Sequence, residues 1–232
     1  MDDEAPRNPA FEAARALDAP LAERLAAYSA ASRARSPVVA EAYDAFVDTL
    51  ERAKAGSEVP GIGAALPAFM LSDTDGRPTS MAELLADGPL VVSFNRGGWC
   101  PFCWLELSAL ADIDAAVREV GGSIVSIVPD TAVYGRRLRA RLSLPFPVLT
   151  DLDNGYGLEL GLTVAMPADL RVLFLASGMD LGVFQKNDGW FIPIPATLVV
   201  DRAGILRARY VDVEFRRRID PRILPGLVAE AG

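Results

Sequence analysis

The two cysteines of the chain, Cys100 and Cys103, stand three residues apart. An apolar run at 89–94 precedes their loop and an amphipathic run at 104–120 follows it, which predicts a buried strand, a loop and a helix. Cysteines three apart at the start of a helix share one face, near the separation that a disulfide requires. The spacing therefore indicates a redox-active dithiol, and two inert buried thiols are the alternative.

Pro101 fits the first position of this helix, because its missing N–H would have no helical partner there. Cys100 then falls at the N-cap, where free backbone N–H groups and the helix dipole favour a thiolate. Helix N-termini and Cys-x-x-Cys motifs lower a thiol pKa from roughly 8.5 to about 3.5–7.5. We therefore expect Cys100 to attack a substrate, Cys103 to be the more buried, resolving thiol, and Pro101 to border the substrate.

The residues before Cys100 are the other candidates for substrate binding in this loop. Arg96 could steady the thiolate or orient a bound oxyanion, or it could be a solvated loop arginine. Gly97 and Gly98 permit backbone conformations that bring the loop near a substrate. Trp99 could shield the sulfur from water or serve as a packing residue.

Composition narrows the class of protein. The chain has 232 residues, a formal net charge of −8 and a pI near 4.7, which argues against a nucleic-acid or anionic-membrane surface. It has no histidine, which excludes a Ser-His-Asp triad, a Cys-His protease pair and a histidine metal ligand. We expect no metal and no cofactor. The alternative is a metal ion or cluster held by four thiolates, two from each of two subunits. The arginines at 216–218 are expected to be solvated.

The cellular compartment is predicted from the first residues of the chain and from the length of its apolar runs. Residues 1–4 are acidic and lack the basic-then-apolar order of a signal peptide. No uncharged apolar run approaches the roughly 18–20 residues that cross a bilayer. These features favour a cytoplasmic protein, where a lone cysteine pair is more often catalytic or metal-binding than a structural staple.

Two regions follow one another along the chain. Residues 1–58 carry apolar side chains at helical spacing, and Ser36-Pro37 marks the start of a helix, so we expect an arm of two or three helices that packs on the domain or dimerises. A linker at 56–63 contains glycine and proline. The predicted division is a helical arm at 1–58 and a second domain at 59–232.

The second region alternates short apolar runs with helical ones. Strands are predicted at 68–71, 89–94, 123–128, 147–149, 196–200 and 205–211, and helices at 80–86, 101–120, 131–142, 154–160 and beyond 216. This order predicts an α/β fold: a thioredoxin-like three-layer α/β/α sandwich with a mixed central sheet and an N-terminal helical extension. The segment 161–193 has no predicted place.

Several short motifs resemble peroxiredoxin-like proteins of the alkyl hydroperoxide reductase/thiol-specific antioxidant (AhpC/TSA) family. The matching pieces are Leu66-Pro67-Ala68-Phe69, Asp75-Gly76, Arg96-Gly97-Gly98-Trp99-Cys100-Pro101, Ile194-Pro195-Ala196-Thr197, Asp201-Arg202-Ala203-Gly204 and Arg217-Arg218-Ile219-Asp220-Pro221. The resemblance spans about residues 60–222. Trp99 to Cys103 is also similar to the Trp-Cys-x-x-Cys of thioredoxins.

The resemblance implies a thioredoxin fold and roles for particular residues. Cys100 matches the attacking cysteine. Pro195 matches a proline that takes a cis bond and packs against the active cysteines, which adds it to the substrate-binding candidates, and Pro193 is the competing candidate for that proline. The chain also departs from both parent patterns. Ser93 and Gly97 stand where peroxiredoxins carry proline and a hydroxyl residue, and Phe94 stands where thioredoxins carry a buried acid.

The resemblance implies a thiol peroxidase in which the Cys100 thiolate reduces a peroxide and Cys103 closes an intramolecular disulfide. A thioredoxin- or glutaredoxin-type protein or a low-molecular thiol would reduce that disulfide, and the chain could form a homodimer. The alternatives are a thiol-disulfide oxidoreductase acting on a disulfide substrate, and a non-catalytic thioredoxin-fold interaction module. Neither nucleic acid nor a membrane is an expected partner.

Overall fold

The computed structural model describes residues 8–232. Its α-helices are α1 (Pro9–Arg15), α2 (Leu21–Arg35), α3 (Pro37–Arg52), α4 (Met81–Leu85), α5 (Pro101–Glu119), α6 (Ala132–Leu142), α7 (Gly155–Glu159), α8 (Ala168–Ala176), α9 (Leu181–Gln185) and α10 (Leu224–Ala231). Its strands are β1 (Met70–Asp73), β2 (Pro78–Ser80), β3 (Leu90–Phe94), β4 (Ser123–Val128), β5 (Val148–Thr150), β6 (Thr163–Ala165), β7 (Phe191–Pro193), β8 (Ala196–Val200) and β9 (Leu206–Val211). No helix in the described range is both long enough and apolar enough to cross a membrane.

Seven of the strands form one mixed sheet in the order β2-β1-β5-β4-β3-β8-β9. The β3–β4 and β4–β5 pairs are parallel and the other neighbours are antiparallel. At the end of β3, Phe94 pairs with Ile127 on one side and with Ala196 on the other. Helices cover both faces, so the predicted three-layer, thioredoxin-like α/β/α fold with a mixed sheet is confirmed.

Alternate side chains of the central strands enter two different cores. Val91 and Ile124 face the core beside α5, whereas Val92 and Val125 face the core on the opposite side of the sheet. Burial of a side chain of this size stabilises the fold by roughly 1.5–3 kcal/mol. The two apolar faces explain why β3 and β4 are nearly continuous apolar runs and can be predicted as strands.

From residue 8 on, the described part of the N-terminal region forms three helices, at the upper end of the predicted number. Ser36 is the N-cap residue of α3 and Pro37 its first residue, as predicted. The arm packs on α5: the Phe11 ring meets Trp104 at 5.3 Å between centroids, and the Tyr28 ring meets Phe102. The packing role expected of the arm is therefore observed, and the division of the chain at residue 58 stays a prediction.

Local interactions explain where several helices begin and end. Ser80 and Glu83 form the predicted capping box at the start of α4. Helix α5 ends at Glu119, and Gly121 takes a φ of +80°, which explains the stop predicted at the glycine pair. Strand β2 was not predicted, because its three residues are too few to give a periodic apolar pattern.

The segment 161–193, which had no predicted place, contains β6, α8, α9 and β7. Strands β6 and β7 pair as a separate antiparallel ribbon. From α8, Phe174 makes edge contacts with Trp99 and with Trp190. The segment therefore covers the cysteine loop.

Candidate active site

The cysteine loop joins the buried end of β3 to the start of α5. Cys100 is the N-cap residue with extended backbone (φ −98°, ψ 107°), and Pro101 is the first helical residue, as predicted. The Cys100 N–H donates to the Gly97 carbonyl at 3.1 Å, and the Trp104 indole donates to the Gly98 carbonyl at 2.9 Å. These bonds fix the loop against the first turn of α5.

Both thiols are free and buried, with 1% of Cys100 and 0% of Cys103 exposed. Burial by itself raises the pKa of Cys100, but hydrogen bonding from the Cys103 thiol and the charges of Arg96 and Arg218 outweigh it and lower the pKa to about 6. Burial, followed by the neighbouring Cys100, raises the pKa of Cys103 well above its ordinary value. The surroundings of the pair therefore favour ionisation of Cys100 and oppose ionisation of Cys103.

Arg96 is 2% exposed, so it is not a solvated loop arginine. Its guanidinium carbon lies 4.1 Å from the Phe215 ring centroid, 4.9 Å from Trp99 and 5.0 Å from Tyr43. It donates a 3.0 Å hydrogen bond to the Tyr43 hydroxyl, and burial raises the pKa of Tyr43 to about 12. This aromatic cage holds a fixed positive charge beside Cys100.

Arg218 corrects the prediction that the arginines at 216–218 are all solvated. Arg217 is exposed, but the Arg218 side chain is buried in an ion pair of 2.6 Å with Glu106. Its second terminal nitrogen lies 3.9 Å from the Cys103 sulfur. The sequence does not predict this buried ion pair, because a run of arginines is usually a solvated face and Glu106 lies 112 positions away in the chain.

Gly97 and Gly98 hold the loop close to Asp130, a residue that sequence reasoning missed. Gly97 has a φ of +131°, a conformation that favours glycine, as expected of this pair. The Gly98 N–H donates to the Asp130 carboxylate. Burial raises the pKa of Asp130 to about 7, the Gly98 bond opposes this, and the nearby Cys100 charge adds to it.

Trp99 and its surroundings close the site. Trp99 is buried, with its ring 5.5 Å from Phe174 of α8 and against Arg96. It is therefore a packing residue that also shields the cysteine loop from water. Only 1% of Cys100 beneath this cover is exposed.

Pro195 corrects a second prediction, since none of the peptide bonds within residues 8–232 is cis. Pro195 is buried between β7 and β8. The Ile194 N–H donates to the Leu162 carbonyl at 2.6 Å, and Ala196 pairs with Phe94. Pro195 lies at the sheet edge from which the cysteine loop leaves, and its role toward substrate stays a prediction.

Two residues that depart from the peroxiredoxin and thioredoxin patterns, Ser93 and Phe94, make defined contacts in this structure. The Asn95 amide donates to the Ser93 hydroxyl at 2.9 Å and to Ser126 at 3.2 Å, a buried polar layer beneath the loop. Phe94 stacks on Tyr156 across the other face of the sheet. Within residues 8–232, no group of three or more cysteine or acidic side chains is arranged to hold a metal ion.

Comparison with curated proteins finds plant peroxiredoxins. The putative chloroplastic peroxiredoxin Q of Oryza sativa subsp. indica is 30% identical over 125 residues, which are 54% of this chain and 54% of that protein. The chloroplastic peroxiredoxin Q of Sedum lineare is 30% identical over 125 residues, 54% of this chain and 63% of that protein. The chain thus spans less than two thirds of the length of these relatives.

Solved structures share the fold. The crystal structure of peroxidoxin BcpB from Mycobacterium tuberculosis has a TM-score of 0.57 and 19% identity, and covers 73% of this chain and 94% of that chain. A structure of Xanthomonas campestris peroxiredoxin Q has a TM-score of 0.53 and 14% identity, and covers 71% of this chain and 92% of that chain. The AhpC/TSA family model matches residues 62–209, a stretch that includes both cysteines and Asp130. Because that match covers more than half of the chain, the protein belongs to the AhpC/TSA family.

Proposed function

We propose that this protein is a thiol peroxidase in which Cys100 reduces a hydroperoxide and Cys103 resolves the oxidised product. One observation carries the proposal: Cys100 stands at the N-terminus of α5 as a thiolate favoured by Arg96 and Arg218, with the Cys103 thiol beside it. Membership of the AhpC/TSA family supports peroxide as the oxidant.

The steps balance with these two residues. The Cys100 sulfur attacks one peroxide oxygen, an S–O bond forms, the O–O bond breaks, and an alcohol or water leaves after taking a proton. The Cys100 sulfenic acid then condenses with the Cys103 thiol, which releases water and forms the Cys100–Cys103 disulfide. The raised pKa of Cys103 keeps it protonated until the sulfenic acid has formed.

An external thiol must supply two electrons to reopen the disulfide. A thioredoxin- or glutaredoxin-type dithiol or a low-molecular thiol fits this step, because each can attack a disulfide through a mixed-disulfide intermediate. The cover over Cys100 makes a small thiol or a partner that opens the site the better candidate.

Thiol-disulfide exchange is the second candidate, favoured by the Cys-x-x-Cys spacing at a helix start and by the absence of a side-chain hydroxyl at Gly97. Peroxide consumption with dithiothreitol and insulin reduction, each measured for wild type, Cys100→Ser and Cys103→Ser, separate the two. Rapid peroxide consumption that is lost in Cys100→Ser supports the peroxidase. Insulin reduction without peroxide consumption selects disulfide exchange, and no redox activity at all in the wild type selects the interaction module.

The compartment and the assembly state are also proposals. We infer a reducing compartment such as the cytoplasm, because a lone Cys-x-x-Cys pair is more often catalytic than structural there. Localisation of the tagged full chain tests this. A homodimer stays a prediction from the sequence, which sedimentation of the reduced and oxidised protein tests.

A further inference from the structure

The buried Arg218 side chain is held through all three of its nitrogens. Its Nε atom donates to Glu106 Oε2 at 2.6 Å, and its Nη1 atom donates to the Phe215 and Arg217 carbonyls. Each partner of the ion pair has only 1% of its side chain exposed. The third nitrogen, Nη2, lies 3.9 Å from the Cys103 sulfur. These contacts fix a positive charge against the second cysteine of the pair.

Glu106 ties this guanidinium to the helix and to the sheet. Glu106 lies three residues after Cys103 in α5, and positions three apart share one face of a helix. Its Oε1 atom accepts a 3.4 Å hydrogen bond from the Thr197 hydroxyl of β8. Its other oxygen is the one that Arg218 binds. The carboxylate therefore orients the guanidinium toward the first turn of α5, where Cys103 lies.

Charges of both signs surround the Cys103 sulfur. The titratable groups that face it come from several parts of the chain: Tyr43, Arg96, Cys100, Glu106 and Arg218. Burial raises the pKa of Cys103 most, the neighbouring Cys100 raises it further, and Glu106 adds to this. The Arg218 charge acts in the opposite direction. Arg218 is thus the cation in contact with the sulfur that must lose a proton during resolution.

We propose that Arg218 is a catalytic residue of the resolving step, which stabilises the negative charge that develops on the Cys103 sulfur, and that Glu106 is its positioning residue. The inference rests on the proposed peroxidase function. As the Cys103 S–H bond breaks, the sulfur attacks the Cys100 sulfenic acid, the S–S bond forms and the S–O bond breaks. The released hydroxide takes the Cys103 proton and leaves as water.

Oxidation of Cys100 leaves the Arg218 charge to act on Cys103. In the reduced protein this charge also helps to lower the pKa of Cys100, whose sulfur accepts a hydrogen bond from the Cys103 thiol. The sulfenic acid is neutral, so the negative charge that opposed ionisation of Cys103 is gone. The same cation therefore favours each sulfur in turn, first Cys100 and then Cys103.

Two opposed effects set the size of the contribution. An opposite charge within about 4–6 Å changes an acid dissociation constant about 10- to 1,000-fold, and loss of Arg218 lowers the thiolate fraction of Cys103 by that factor. The thiolate that remains is more nucleophilic, with a Brønsted slope of about 0.4–0.5, which offsets about half of the loss on a logarithmic scale. We therefore expect resolution to slow roughly 3- to 60-fold without the cation.

A rapid-quench single turnover of the full chain separates the two steps. The rate at which Cys100 sulfenic acid forms is proportional to the concentration of hydrogen peroxide, whereas the rate of resolution within one chain does not depend on it. Acid quenching at set times, followed by thiol labelling and mass spectrometry, gives the amounts of dithiol, sulfenic acid and disulfide. The measurement is made from pH 6 to pH 9.

The matched variants differ only in the cation. Glu106→Gln keeps an acceptor for Arg218 and removes a negative charge that opposes ionisation of Cys103, so it should resolve faster than the wild type. Arg218→Met/Glu106→Gln removes the cation without leaving an unpaired carboxylate in the core. At pH 7 its resolution should be roughly 3- to 60-fold slower than that of Glu106→Gln, and its rate should rise at a higher pH. The exposed Arg217→Met is the control for loss of a surface charge.

Each outcome decides between named alternatives. Equal resolution rates in Glu106→Gln and the double variant would overturn the role of Arg218. Equal slowing of both relative to the wild type, with no change in the pH profile, would reduce the ion pair to a structural support and overturn it as well. A wild type that forms no Cys100 sulfenic acid would instead remove the peroxidase function, and this inference with it. If the double variant does not fold, Glu106→Gln decides, since resolution no faster than in the wild type would overturn the proposal.

Discussion

The Tyr43 hydroxyl accepts a 3.0 Å hydrogen bond from Arg96, 53 positions later in the chain. Tyr43 belongs to α3 of the N-terminal arm, whereas Arg96 belongs to the cysteine loop. The arm therefore supplies one wall of the active site. The Tyr43 ring packs on Phe215, which lies beyond β9 in the chain. The aromatic cage around Arg96 therefore joins three distant parts of the sequence.

Tyr43→Phe should destabilise the protein by about 1–3 kcal/mol, because it leaves a buried guanidinium N–H without its acceptor while the ring remains. Urea unfolding at neutral pH measures this. Tyr134→Phe, a half-buried tyrosine of α6 that packs on Phe184, is the control and should change stability by less than about 0.5 kcal/mol. Equal effects of the two variants would contradict a specific Tyr43–Arg96 bond.

Arg218→Met should destabilise the protein by roughly 3–5 kcal/mol, because it strands the Glu106 carboxylate in the core. It should also raise the pKa of Cys100, since the Arg218 charge helps to lower it. The exposed Arg217→Met variant serves as the control for loss of charge.

The double variant Arg218→Met/Glu106→Met separates stability from reactivity. Replacement of both partners by apolar groups should restore most of the stability, whereas the alkylation of Cys100 should still require a higher pH than in the wild type. If the double variant regains the wild-type alkylation profile, Arg218 does not act on Cys100 through its charge.

Gly97→Thr would place the hydroxyl residue of peroxiredoxins at its expected position, yet we expect it to lose activity. The new Cβ would approach Trp99 to 2.6 Å at a φ of +131°, and backbone strain and overpacking together cost roughly 2–4 kcal/mol. Gly76→Ala, at a φ of +80° with no atom within 4 Å, isolates the backbone cost and should lose only about 1–2 kcal/mol. A gain in peroxide turnover by Gly97→Thr would refute this view of the loop.

The lowered pKa of Cys100 also predicts how stability depends on pH. The folded-state pKa of about 6 lies below the ordinary value of 9.0, so the thiolate stabilises the fold fully above pH 9. That contribution declines as the pH falls, and it is lost below about pH 6. Wild type should therefore gain stability relative to Cys100→Ala between pH 6 and pH 9, as measured by chemical unfolding. A difference that stays constant over this range would show that Cys100 is not a thiolate in the fold.

The cysteine loop could be predicted because its signals are local. An apolar run, a glycine pair, a proline at the first helical position and a cysteine at the N-cap all act within about ten residues of Cys100. The central strands and the capping box at Ser80 are local in the same sense. The fold class predicted from these features is confirmed, whereas the roles of the two cysteines stay predictions.

The rest of the site depends on contacts that no local pattern reveals. Asp130, Tyr43 and Arg218 reach the loop from other elements, and their burial is set by the packing of the whole domain. The cis bond predicted at Pro195 was wrong, since no peptide bond within residues 8–232 is cis. The segment 161–193 had no predicted place because its helices and strands are short, and its Phe174 packs on Trp99, which lies far away in the sequence.

The central claim is that Cys100 attacks a peroxide and Cys103 resolves it within the same chain. The most direct measurement is a brief hydrogen peroxide pulse followed by thiol trapping and mass spectrometry of wild type, Cys100→Ser and Cys103→Ser. We expect a Cys100–Cys103 disulfide in the wild type, a trapped Cys100 sulfenic acid in Cys103→Ser and an unmodified Cys103 in Cys100→Ser. Oxidation of Cys103 in Cys100→Ser at the wild-type rate, or a disulfide between two chains in the wild type, would contradict the claim.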